Sequence, residues 1–278
     1  MASADAGSVR RLTVCVDDVG LHAGVNAAAL ALWRQGRVSS WSVLVDGPAA
    51  AEVVRPVDAG ATLEIGWHLN LTEALPGAGF VRPLPRLIAD AYCGRLSGTE
   101  RARLAEEIAR QWHRFLALFG HAPEFIDGHQ HVHQLPGVRE VLLALLVREN
   151  GTGHRPWIRR CTPPQRFGAD GVKPAIVGAL GAQALSRAAR AAGLRQNRHL
   201  LGVRPLVPGA SAYRAQLERW LARAGEGDLL MVHPASPSAA VDDPLLAVRV
   251  AEFTVLSGAA FGRSLALHRC RVRPLMRG

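Results

Sequence analysis

Glu124-Phe125-Ile126-Asp127-Gly128-His129-Gln130-His131-Val132-His133 sets an acid and three imidazoles at every second position. Read as a β-strand, it puts Asp127, His129, His131 and His133 on one face and Ile126 and Val132 on the other. A buried structural strand would spend such positions on Val or Ile. The row therefore points to a wet cavity, and neutral imidazole is the commonest metal ligand. At about 3.3 Å per residue, His129 and His131 lie about 7 Å apart at Cα, and His129 and His133 about 13 Å. Two neighbours of the series can share one ion; all three cannot. The others orient, bind substrate or line the cavity. A His-rich tract can be a purification tag, but this one is internal, alternating and flanked by apolar residues.

Outward from this run, helices and strands alternate. On its N-terminal side Thr99 caps a helix whose Leu104, Ile108, Phe115 and Leu118 recur at helical spacing, with Gly120 past its end. On its C-terminal side a helix is expected over about residues 137–149. Leu12–Val16, Val38–Val45 and Leu63–Leu71 read as buried strands, with a helix over Ala23–Gln35 between the first two. The Pro- and Gly-rich residues 75–98 form a long excursion. Further on, strands are expected at Trp157–Cys161, Leu200–Val203, Asp228–Pro234 and Ser264–Leu267. Helices are expected over 174–193, from Ser211 to Ala224, and from Asp242 or Asp243 to about Leu256.

The pattern implies an α/β fold with a mainly parallel sheet. The polar residues fall with a regularity of their own. Asp17 and Asp18, His68, the histidine series and His233 each stand at the C-terminal end of an expected strand, where α/β proteins build their sites. A carboxylate and two imidazoles at one point leave coordination positions for water and substrate, the pattern of a catalytic rather than a structural centre.

Composition narrows the field. The 278 residues are 49% hydrophobic, enough for a sizeable core. No apolar run approaches the roughly 18 residues of a membrane helix. Residues 1–10 read as a disordered lead-in without an apolar signal region, and residues 11–278 as one domain. Cys15, Cys93, Cys161 and Cys270 are widely spaced, so a zinc ribbon or disulfide scaffold is not expected and a reduced, cytoplasmic protein is. The net charge of +10 comes almost wholly from dispersed arginine, Lys173 being the only lysine. Without a recognition motif, specific nucleic-acid binding is not expected.

Asp17-Asp18-Val19-Gly20 with Asn26, then Gly66-Trp67-His68-Leu69-Asn70-Leu71-Thr72, then Ile126 to His133, resemble the YdjC family of carbohydrate deacetylases in order and spacing. That family includes chitooligosaccharide and diacetylchitobiose deacetylases. The resemblance covers residues 11–150, and His233-Pro234 is similar to a further element. It implies an irregular, TIM-barrel-like (β/α) barrel related to polysaccharide deacetylases, often a homodimer, using one divalent metal ion (Mg or Zn). Carried over, Asp18, His68 and His129 match the metal ligands and Asp17 the general base. His233 stands where a general acid would serve, while Asp127, His131, His133 and Asn70 are candidates to bind substrate or support the ligands. Val19 departs from the pattern, standing where an aromatic is usual, and residues 151–225 match nothing recognised. The expected reaction is hydrolysis of an acetamido sugar or short oligosaccharide to an amino sugar and acetate. The alternatives are an amidohydrolase- or phosphoesterase-type metal hydrolase, a non-haem iron oxygenase and a non-catalytic sugar-binding relative.

Overall fold

A computed structural model describes residues 8–53, 55–56, 58–149, 155–164, 172–237 and 242–276. The chain builds a parallel sheet around β1, Arg10–Val19. On one side follow β2 (Ser40–Val43), β3 (Glu64–Leu69), β4 (Phe125–Gly128) and β5 (Trp157–Ile158). On the other side come β7 (Asp228–Val232) and then β6 (Leu200–Leu201), while β8 (Cys270–Val272) pairs with the start of β1. Every pairing is parallel. The sheet curls into a half-barrel of TIM-barrel-like α/β type, wrapped by helices.

Between β5 and β6 no ladder forms. The gap is stitched by Ile158 N–H to the Arg195 carbonyl (3.0 Å) and Leu200 N–H to the Thr162 carbonyl (2.9 Å). Buried Asn197 adds two bonds, accepting from Arg160 N–H (2.7 Å) and donating to the Arg160 carbonyl (3.0 Å).

The strands read as near-continuous apolar runs because both their faces are covered; β2, β3, β4 and β7 are buried throughout. Helices α1 (Ala23–Arg34), α2 (Leu84–Tyr92), α3 (Gly98–Phe119), α4 (Val138–Glu149), α5 (Lys173–Ala179), α6 (Ala182–Ala191), α7 (Ala210–Arg223), α8 (Leu246–Ser257) and α9 (Ala259–Leu267) surround them. In α3 the periodic Leu104, Ile108, Trp112 and Phe115 face the core, and Gly120 closes the helix at φ 70°. Among the described residues no helix is long and apolar enough to cross a membrane.

Several expectations change. Ser264–Leu267 belongs to helix α9, because Phe261, Ser264 and Leu265 bury at helical spacing. The expected helix over 174–193 is two, broken at Leu180-Gly181, where Gly181 takes φ 114° and an added Cβ would strike the Gln134 carbonyl. The caps shift too: Ser97, not Thr99, precedes α3, and Gly209, not Ser211, precedes α7. Helix α8 begins only at Leu246, with Asp243 Oδ1 accepting from Leu245 N–H (2.8 Å). The long 75–98 excursion carries α2. Arg10, placed in the lead-in, already opens β1 and bonds the Arg269 carbonyl (2.8 Å); residues 1–7 lie outside those described.

The largest correction falls on the histidine run. β4 ends at Gly128, and residues 129–134 form tight turns with Gln130 at φ 52° and His131 at φ 62°. The chain must pass over the barrel rim to reach α4, and two successive left-handed residues make that bend. His129, His131 and His133 therefore do not share one strand face.

Candidate active site

The strand ends deliver the site. β1 and β2 change register between Val16 and Val19, and Asp18 sits there at φ 61°. In a regular strand Asp17 and Asp18 would point to opposite faces; the irregularity turns both carboxylates into the barrel. A non-glycine residue in the left-handed region stores strain, which only the surrounding packing holds in place. Gly20 (φ 92°) completes the turn, and its N–H bonds Asn26 Oδ1 at 2.7 Å.

His68 ends β3 and His129 follows β4. His129 Nδ1 lies 2.9 Å and His68 Nε2 3.4 Å from Asp18 Oδ1. Donor atoms of all three residues fall within 4.8 Å of one another. The other Asp18 oxygen is taken by Arg249 of α8, at 2.8 Å. Behind His68, Nδ1–H donates to Asp127 Oδ1 (2.6 Å), which also accepts from Ser42 Oγ. That bond fixes the ring's orientation and aims Nε2 at Asp18. The set fits a divalent cation: one carboxylate oxygen, two imidazoles, and a carboxylate orienting one of the rings.

A second cluster, Cys15, Asp17 and Asp127, is as compact. Its centre is filled by a guanidinium. Buried Arg159, one residue past β5, grips both Asp17 oxygens at 2.6 Å and reaches Asp127 and Cys15. Burial pushes the Cys15 thiol well up. Among the described residues this leaves Asp18, His68 and His129 as the candidate cation position, since Arg159 occupies the other group.

The charges are strongly coupled. Burial alone would raise the Asp17 carboxyl, but Arg159 overrides it and holds it well below the usual carboxylate range. Arg249 and His129 do the same for Asp18 against its burial. For His68, burial opposes protonation, yet Asp127 and Asp18 lift the imidazole to about 10. Facing Asp18, the His68 and His129 rings are thus held in favour of their protonated forms, and a bound cation would take the place of those protons.

The remaining candidates occupy different ground. His133 is fully buried; its Nε2–H donates to the Arg159 carbonyl (2.9 Å), so it supports the backbone of the residue holding Asp17. His131 Nδ1 lies 3.6 Å from Cys161 Sγ. Buried Asn70 folds a turn, accepting from Thr72 N–H and Glu73 N–H and donating to the Glu73 carbonyl. His233, half-buried at the end of β7, is tied by its backbone N–H to Glu252 (2.7 Å). Burial pushes its imidazole down.

Arg159 and Arg249 were not singled out as site residues from the sequence. Arg159 had a signal, since it too stands just past a strand. Arg249 had a fainter one: it shares the buried face of α8 with Val248, Glu252 and Val255. Beside the triad a cavity of about 430 Å³ opens, walled by Leu21, Leu44, Leu75 and Leu245, with Glu73, His129 and Arg249 at its polar end.

Two chitooligosaccharide deacetylases of Klebsiella pneumoniae are 33% and 35% identical to the chain over 153 and 152 residues. Each alignment covers 52% of this chain, and the chain spans only 59% of the length of these curated relatives. A putative cellobiose-phosphate cleavage protein from Enterococcus faecalis superposes with TM-score 0.64 at 18% identity, over 96% of this chain and 98% of that one. An uncharacterized protein from Agrobacterium tumefaciens gives 0.51 at 14% identity, over 98% and 90%. At such identities the structural likeness concerns the fold. Family membership rests on the sequence: the YdjC-like model matches residues 11–266, and the chain belongs to that family.

Proposed function

We propose that the protein hydrolyses the N-acetyl amide of an amino sugar or short oligosaccharide, consuming water and releasing acetate and the free amine. The observation that carries this reading is the meeting of Asp18, His68 and His129, from the ends of three strands, beside a cavity of about 430 Å³. The names of the Klebsiella relatives point the same way.

Asp18, His68 and His129 would hold one divalent cation, Mg or Zn. When bound, such an ion polarises an amide carbonyl and acidifies water. Asp17 takes the proton of the attacking water; Arg159 keeps it ionised, and water acidified in this way needs no strong base. His233 gives a proton to the departing nitrogen. Burial makes its protonated form scarce at neutral pH but a better donor. Asp127 holds the His68 ring, and Arg249 reserves one Asp18 oxygen for itself. The same reading takes the working protein as a cytoplasmic homodimer, a state that sedimentation of the purified chain checks.

The test is acetate release from N,N′-diacetylchitobiose with and without chelator, in wild type and Asp18→Ala. Loss of release in both arms, restored by adding the metal to wild type alone, is the expected result. Turnover indifferent to chelation and to Asp18 would overturn the assignment.

A further inference from the structure

Beside the unlatticed gap between β5 and β6 lies a recess of about 410 Å³, walled by Arg160, Arg190, Arg195 and Arg198 above Asn197 and Ser186. Arg159 turns into the barrel towards Asp17; Arg160, the next residue, turns out towards α6. The four guanidinium groups come from three separate places: one strand edge, the approach to the facing edge, and the last turn of the covering helix.

Many of the other arginines of this chain find carboxylates, though some, such as Arg10 on backbone carbonyls and Arg37 over Phe261, do not. Arg82 pairs with Asp90 and Glu100, Arg110 with Asp46 and Glu107, Arg55 with Glu124. In the recess, among the described residues, Arg160, Arg190 and Arg195 have no ion-pair partner. Arg198 comes no nearer than 3.8 Å to Asp228, which already accepts from His199 (3.1 Å) and the Gly225 N–H (2.7 Å). The floor is rigid. Asn197 is 1% exposed and bonds the Arg160 N–H, the Arg160 carbonyl and the His199 carbonyl.

We propose that this recess binds a small anion carrying a phosphate group, which bridges the two edges of the half-barrel. Four arginines lining one recess raise its positive potential, and a tetrahedral dianion satisfies several guanidinium forks at once. Arg160 Nε donates to Thr162 Oγ1 (2.9 Å), and burial, then the charge of Arg190, push its guanidinium below the ordinary value. The C-terminal dipole of α6 offsets Arg190 in part, but it does nothing for Arg160 or Arg195. The site lies outside the barrel and does not depend on the deacetylase reading.

Calorimetric titration of the full chain with inorganic phosphate, in sodium chloride of physiological strength, tests this. Wild type, Arg190→Ala, Arg195→Ala and the control Arg101→Ala on α3 are compared, with melting curves to establish that each is folded. Saturable binding of one phosphate per chain is expected, weakened about fivefold or more by each recess variant and untouched by Arg101→Ala. No saturation in wild type overturns the proposal. So does equal binding by all four proteins, the mark of an adventitious ion only. A parallel arm with heparin covers the rival: heparin binding lost in the recess variants, with no phosphate binding, makes the patch a polyanion surface and overturns the small-anion site.

Discussion

Gly128 separates Asp127 from His129, and a Cβ added there would come within 2.9 Å of both the His133 backbone nitrogen and its Nδ1. Its φ of −154° suits any residue; the requirement is space. Gly128→Ala must push residues 129–134 outward and carry His129 off Asp18. Acetate release is expected to fall at least about tenfold, with a stability loss of about 1–3 kcal/mol on melting. His133 makes a separate prediction. Burial pushes its imidazole down to about 4, below the ordinary value of 6.5. Between those values the unfolded chain binds the proton and the folded one does not, so this contribution is intact above about pH 6.5 and is lost as pH falls towards 4. The unfolding free energy of His133→Gln, relative to wild type, is expected to improve by up to about 3 kcal/mol over that descent, read from urea melts at a series of pH values. A constant difference would refute the burial argument. At this scale the sequence marked Asp18, His68 and His129 as polar residues at expected strand ends, and their donor atoms do meet. It was illegible for the left-handed bend at Gln130 and His131, because strict alternation is also what an extended strand would show.

Helix α3 reaches the site through Gln111, which is fully buried on the face carrying Ile108 and Phe115. Its Nε2 donates to the Asn70 carbonyl (2.6 Å) and its Oε1 accepts from Asn70 N–H (3.1 Å), pinning the chain two residues beyond His68. Gln111→Leu keeps the volume but strands both backbone groups. A loss of about 2–3 kcal/mol is expected in denaturant melts, together with a raised KM as the 70–75 turn, which carries Glu73 and Leu75 of the cavity wall, loosens. Periodicity revealed that α3 packs inward, but not that polar Glu107 and Gln111 share its buried face. A helical wheel assigns such residues to solvent unless a partner is known, and the partner here is a backbone segment about forty residues away. Arg249 on α8 has a related explanation: its burial is rewarded by Asp18, far away in the chain, and by Asp243, six residues before it and outside the helix.

For the molecule as a whole, the alternation of strands and helices announced the parallel sheet, and the strand ends announced the rim where Asp18, His68 and His129 meet. How the sheet fails to close could not be read, since two isolated backbone bonds and one asparagine leave no pattern in composition or period. That asparagine can be tested. Asn197→Ala removes three hydrogen bonds, two of them across the seam, and leaves the Arg160 N–H and carbonyl without these partners. A destabilisation of about 2–4 kcal/mol is expected, with hydrogen exchange quickened at Ile158 and Leu200 while β1 stays protected. Uniform acceleration across the sheet would mean that the seam is not a separate weak point. The cavity beside the triad carries a consequence at the same scale. Its apolar walls come from the connections after β1, β2 and β3 and before α8, whereas Asp17, Asp18 and His68 are fixed to the strands and His129 to the turn just past β4. Under the proposed function, exchanging a handful of those wall leucines would recast which molecule the cavity admits while leaving the strand-borne carboxylates and imidazoles where they are.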